Sequence, residues 1–147
     1  MRPNLVIAPA VVAVALVALA ACSRTGGTGV TNVVDNYLYD LGNRNYSAAC
    51  QQLTEQLRQQ LGDCPATLKR HHDNLPVGEY GELRDAHVRK VTYDTKDSTK
   101  AKVYAQDIKI GTGSKAKRSI AANHATDGHG LELTKVGKAW RISGGGV

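Results

Sequence analysis

The hydrophobic period of this 147-residue chain changes once, and that change restricts its fold more than any other feature. Val30, Val33, Val34, Tyr37, Leu38 and Leu41 recur every three or four residues. That spacing places them on one stripe of a helix, and Gly42 follows as a C-terminal stop. Tyr46, Ala49, Cys50, Leu53, Leu57 and Leu61 form a second stripe, from near Ser47 to Gly62. Cys64-Pro65 opens a third, shorter helix, since proline is favoured in a first turn; Leu68 and Leu75 mark its buried side. The stretch "NLPVGEYG" then breaks the helical pattern. From Glu82 the period moves towards two, and strands are expected near 83–93, 100–110, 117–126, 131–136 and 139–143. Helices first and then a run of strands define an α+β class.

Two details refine the strands. Ala86 and Val88 share one face, whereas Val91 and Tyr93 are out of phase with them; a bulge around Arg89-Lys90 would restore the register. Val136-Gly137-Lys138-Ala139 reads as a hairpin turn, leaving Leu131, Leu133, Trp140 and Ile142 to face the core. Trp140 and Ile142 are expected to pack against the first helix near Val34, Tyr37 or Leu38. With six Tyr, one Trp and no Phe, that core must be mainly aliphatic.

A different kind of segment precedes the first stripe. Met1-Arg2 brings one positive charge, and 5–21 brings none. A spanning helix needs roughly 20 apolar residues; this run is shorter and contains Pro9 and many alanines. A positive start, a short apolar core and small residues before a cut describe a secretory signal peptide. Leu19-Ala20-Ala21-Cys22 resembles the lipobox of bacterial lipoproteins: an aliphatic residue, two small ones and the cysteine that is modified. The resemblance implies cleavage before Cys22, a diacylglyceryl thioether on its sulfur and palmitate-type chains in the membrane. Each buried methylene contributes about 0.8 kcal/mol, so two or more chains hold firmly. On this reading 1–21 is a lipoprotein signal peptide and 22–29 the lipidated cysteine with a flexible tether, "SRTGGTG". A single α+β domain covers 30–143, and 144–147 is a loose tail. The alternatives are an uncleaved membrane anchor and simple secretion.

With Cys22 lipidated, Cys50 and Cys64 form an even pair in an oxidising compartment, which predicts a disulfide; two buried free thiols are the alternative. The pairing constrains the second helix. Unbroken from Cys50 to Leu61, it would rise about 16 Å, and three residues return roughly 10 Å at most. Bridged Cα atoms lie about 5.5–6 Å apart. A break at Thr54, with Thr54 capping a fresh turn at Glu55, eases the geometry. No close Cys or His completes a zinc pattern around the pair.

The lipobox, "VVDNYLYDLGNRNYSAACQQLTEQLRQQLGDC", the meandering strands and the closing "GKAWRIS" together are similar to small actinobacterial lipoproteins of the nuclear-transport-factor-2-like superfamily. The resemblance covers most of the mature chain. It implies N-terminal helices packed against a curved, mainly antiparallel sheet, a cystatin-like cone that often holds a pocket. Many members bind small molecules, some catalyse isomerisation or dehydration, and many have no known activity. The fold alone therefore does not choose the function.

The polar constellations are sparse. In His71-His72-Asp73, adjacent helical side chains point about 100° apart, so the run reads as a surface helix end. His124, Asp127 and His129 could meet in a loop as metal ligands, although Asp-Gly is an ordinary turn. His87 reads as a half-buried or exposed strand residue. "IGTGSKAKRS" sets Lys115, Lys117 and Arg118 after two glycines without P-loop spacing, and reads as a hairpin tip with a basic edge. An acid–base enzyme would need a carboxylate and a Tyr or His inside the cone, for which Asp85, Tyr93, Tyr104 and Asp107 are available. After signal removal 18 Lys and Arg face 13 Asp and Glu. That modest excess fits anionic headgroups or wall polymers, and equally plain solubility; it gives no ground for nucleic acid.

The expectation is a lipid-anchored cell-envelope protein on the extracytoplasmic face of the membrane, with neither cofactor nor metal. Its domain would be a non-catalytic accessory or binding module for a protein partner or a small apolar ligand. The alternatives are a cone-pocket enzyme of isomerase or dehydratase type, favoured by an apolar pocket with an inward carboxylate, and a purely structural envelope lipoprotein.

Overall fold

A computed structural model describes residues 29–74, 79–110 and 130–145. The N-terminal segment with Cys22, Leu75, the expected strand at 117–126, the basic loop with Lys115, Lys117 and Arg118, and the group His124, Asp127 and His129 lie outside the described residues.

Helix α1 (Val30–Gly42) buries Val30, Val33, Val34, Tyr37 and Leu38, the stripe read from the sequence. Its end differs from expectation. Gly42 stays inside the helix, and Arg44 takes the left-handed conformation at φ 58°. The Arg44 N–H donates to the Leu41 carbonyl (2.9 Å) and the Asn45 N–H to the Asp40 carbonyl (2.8 Å). This is a Schellman closure, with an arginine where glycine is usual. Glycine permits a left-handed turn without compelling one.

The second stripe is broken at Thr54, where a break eases the cysteine geometry. Helix α2 (Tyr46–Gln51) ends, and α3 (Glu55–Leu61) starts afresh with the Thr54 hydroxyl accepting the Leu57 N–H at 3.2 Å. The intervening backbone groups pair with the sheet. Ile142 N–H donates to the Gln52 carbonyl (2.9 Å), and Thr54 N–H donates to the Ile142 carbonyl (2.8 Å). Helix α4 (Cys64–Asp73) is capped by Asp63, whose carboxylate accepts the Ala66 N–H at 3.2 Å, and has Pro65 in its first turn.

A five-residue helix, α5 (Glu79–Leu83), falls largely in the stretch read as breaking the helical pattern and takes in the first residue of the expected first strand, Leu83, which is buried in the core. Strands β1 (His87–Val88), β2 (Thr92–Tyr93), β3 (Lys100–Tyr104) and β4 (Ile108–Lys109) follow, with a 3-10 turn at Ala105–Asp107. Thus the strands expected over 83–93 and 100–110 are each split. β1 pairs with β4 and β2 with β3, so the four are the arms of one antiparallel hairpin, interrupted on both sides at the same level. The Arg89 N–H donates to the Asp107 carbonyl (2.7 Å) across the interruption. The phase change between Val88 and Val91 is this corner, and it divides the ribbon between two sheets.

Strands β5 (Gly130–Val136) and β6 (Ala139–Gly144) complete a four-stranded antiparallel sheet of order β2-β3-β5-β6. β6 reaches Gly144, one residue past the expected domain end. Gly137, at φ 61°, takes the first central position of the two-residue turn, where a hairpin of this length favours glycine. Gly130 permits a close strand crossing: a Cβ there would lie 2.2 Å from the Val103 carbonyl oxygen.

The helices cover one face of the sheet. α1 packs on α2, α5, β1 and β6, and α3 bridges α4 and β6. Leu131, Leu133, Trp140 and Ile142 are all buried with the α1 stripe in one cluster. Val34, Leu53, Val103, Leu133 and Ile142 are at most 1% exposed; each such side chain contributes roughly 1.5–3 kcal/mol. The described domain is α+β, with five helices and two antiparallel sheets among the described residues.

Candidate functional site

Two places concentrate polar chemistry. The first lies between α2 and α4. Tyr46 and Cys50 are one helical turn apart, as are Cys64, Leu68 and His72, so each set shares a face. With Cys50 set against Cys64, the Tyr46 turn of α2 meets the His72 turn of α4. The Cys50 and Cys64 sulfurs are at bonding distance, with Cα atoms 6.2 Å apart. Tyr46 Oη lies 2.8 Å from His72 Nδ1, and the rings meet edge-on at 5.3 Å.

His72 is 3% exposed, which corrects its reading as part of a surface helix end. His71 and Asp73 are exposed, and Asp73 pairs with Lys69. Burial lowers the His72 pKa first and the Arg44 charge lowers it further; Asp73 and the Leu41 carbonyl oppose both. In the neutral form thus favoured, Nδ1 can accept the Tyr46 hydroxyl proton. The four-residue spacing from Cys64 through Leu68 to His72 is a sequence signal that the charge of the run obscures.

The second place is an open groove of about 340 Å³ beside β2, β3, β5 and β6, with Thr92, Lys102, Glu132, Thr134 and Ser143 in its lining. Lys102 Nζ lies 3.4 Å from Glu132 Oε1 and 5.5 Å from the centre of the Tyr104 ring. The Thr134 hydroxyl donates to Ser143 Oγ at 3.0 Å, and Ser143 Oγ donates to the Glu132 carbonyl at 3.3 Å. These groups satisfy one another on a solvated face.

The acid–base candidates do not converge. Asp85 is exposed after α5, and Tyr93 is 54% exposed on β2. Tyr104 stands on β3 under Lys102, and Asp107 lies in the 3-10 turn. His87 is exposed on β1. Among the described residues no three His, Cys, Asp or Glu side chains come together as metal ligands.

One carboxylate escaped the sequence reading. Asp35, off the apolar stripe of α1, accepts the Val88 N–H at 2.8 Å and so ties α1 to β1. Burial raises its pKa, while that hydrogen bond and His87 pull it down. Nothing in the periodicity marks it, because its partner is a backbone amide 53 residues away.

No family model, curated protein or solved structure matches the chain.

Proposed function

We propose that this chain is a lipoprotein of the extracytoplasmic membrane face, anchored by acyl chains on Cys22, and that its domain is a non-catalytic accessory or binding module of the nuclear-transport-factor-2-like class. The observation that carries the reading is the Cys50–Cys64 pair. Two sulfurs at bonding distance between two short helices suit an oxidising compartment. They leave Cys22 as the third cysteine, at the end of an uncharged run after a positive start. The bent hairpin ribbon and the helices on one face of the sheet support the cone class. The aliphatic interior around Val34, Leu53 and Leu133 favours a packed module over an acid–base cone enzyme.

The test is the intact mass of the chain purified from membranes of an expressing bacterium without reductant. Residues 22–147 with attached acyl chains and two hydrogens missing are expected. An unacylated chain, or Cys50 and Cys64 alkylated without reduction, would refute the reading. Replacing Cys22 with Ala should abolish metabolic incorporation of labelled lipid, and equal labelling of that variant would count against the lipobox.

A further inference from the structure

Two exposed apolar side chains, Tyr93 and Val136, stand at the same end of the four-stranded sheet. Antiparallel pairing puts them there. Lys100 opens β3 opposite Thr134, and the Lys135 N–H donates to the Thr99 carbonyl at 2.8 Å. The β2–β3 turn at 94–99 and the β5–β6 turn at 137–138 therefore lie side by side. Tyr93 packs edge-on against Trp140 at 6.1 Å, and Lys135 is the cross-strand partner of Trp140.

Lys96, Lys100, Lys135 and Lys138 lie in or next to these two turns and are all exposed, while the register sets Tyr93 and Val136 on opposite faces at this end. The carboxylates of the same end are built into the turn. Asp94 accepts the Lys96 N–H (2.7 Å) and the Asp97 N–H (3.2 Å). Asp97 accepts the Thr99 N–H (2.9 Å) and hydroxyl (2.5 Å), with Lys100 Nζ 3.7 Å away. Lysines outnumber aspartates, so the end is basic, with a phenol ring and an aliphatic side chain projecting from it.

We propose that this end of the sheet docks on an anionic lipid surface. Tyr93 and Val136 enter the headgroup region, and Lys96, Lys135 and Lys138 lie over lipid phosphates. A ring with a polar tip suits the headgroup layer. Lysine stems cover apolar surface while their ammonium groups stay among the phosphates. Basic residues near an anionic leaflet each add attraction. Such a contact is weak alone and needs a second attachment, so the proposal rests on the lipid anchor at Cys22. Segment 22–29 reaches about 26–29 Å when extended, and a domain of this size has a radius of gyration of about 13 Å. The tether thus allows this end to turn to the bilayer and keeps it at high effective concentration there.

The chain carries its own reporter, since Trp140 is its single tryptophan and lies against Tyr93. The full chain, purified from membranes, is reconstituted into phosphatidylcholine vesicles with or without phosphatidylglycerol, and brominated phosphatidylcholine serves as quencher. Trp140 emission should be quenched severalfold more in the anionic vesicles. High salt, or the combined variant Lys96→Glu, Lys135→Glu and Lys138→Glu, should remove the excess. Circular dichroism verifies that the variant is folded; if it is not, Tyr93→Ser with the salt series decides in its place. Equal quenching in both vesicle types, or a folded charge-reversed variant quenched like the wild type, overturns the proposal. A chain that floats with neutral vesicles yet shows no excess quenching keeps its anchor and refutes the docking alone. A chain that fails to float with neutral vesicles refutes the anchor, and with it the docking that rests on it.

Discussion

Reduction of the Cys50–Cys64 link should destabilise the domain by about 3 kcal/mol, mostly through the unfolded chain. The cysteines are 14 residues apart in sequence. Releasing a loop of about 15 residues returns about 10 cal/mol/K of chain entropy, which is roughly 3 kcal/mol at 25 °C. Strain does not offset this, because a Cα separation of 6.2 Å lies in the ordinary range for a bridge. The folded state is expected to change little on reduction, because Ala49 and Leu68 are buried and Tyr46 meets His72 independently of the sulfur–sulfur bond. Against a typical total of about 5–15 kcal/mol the loss is large. Urea unfolding of oxidised and reduced protein, followed by circular dichroism, measures it. The midpoint should fall by about 1–3 M urea, and the slope should steepen because the uncrosslinked unfolded chain exposes more surface. The variant with both cysteines changed to Ala separates cross-link from packing, since both residues are buried. Coincident midpoints for oxidised and reduced wild type would refute the reasoning.

Three further outcomes follow from particular residues. Arg44→Gly should raise stability by about 0.5–1 kcal/mol, because a left-handed residue with a Cβ is strained; thermal unfolding checks it, and a fall in Tm would contradict the closure described. His72 has a lowered pKa, so its contribution is complete above about pH 6.5 and is lost as pH falls towards the folded value, by at most about 1.4 kcal/mol per unit. Asp35 and Asp40, raised by burial, act in the opposite sense at lower pH, so the measurement is the wild-type profile minus that of His72→Gln, which should show a positive slope with pH just below about 6.5. A flat difference would count against a buried neutral His72. Trp140→Ala should cost about 3–5 kcal/mol, and wild-type emission should resist iodide; free quenching in folded protein would contradict the closing hairpin.

The readable parts of this fold are those where one local constraint leaves one solution. Thr54 was legible because a cysteine pair with so short a return is barely closed by an unbroken helix, and a threonine stood where a cap would ease it. The β5–β6 turn was legible because Gly137 sits between two runs of alternating apolar residues. Helix α5 was not, since five residues are too few to establish a period. The out-of-phase pairs Ala86/Val88 and Val91/Tyr93 were visible, but their cause lies across the ribbon in the 3-10 turn at Ala105–Asp107. Gly42 and Arg44 show the limit of residue preference: backbone hydrogen bonding, not side-chain identity, fixed the left-handed position. Of the polar pair in the helical layer, the charged neighbours of His72 concealed a burial that its spacing from Cys64 would have shown.

Under the proposed acyl anchor, the break at 52–54 also answers a problem that such an anchor sets. A lipoprotein diffuses in two dimensions at high local concentration, where an open strand edge is a template for pairing with another copy. Among the described residues β6 is one edge of the sheet, and its Ile142 N–H and carbonyl are taken by Gln52 and Thr54. β2 is the other edge among them; it is two residues long and passes into the charged turn around Asp94, Lys96 and Asp97. A short edge flanked by charge discourages strand addition. The break that eases the Cys50–Cys64 link therefore also pairs the middle of the longer edge, at Ile142. Filling the break with a continuous helix would leave the disulfide almost no slack and uncover Ile142 together, so under the proposed anchor the interrupted stripe suits a crowded membrane surface better than the regular helix its periodicity could have formed.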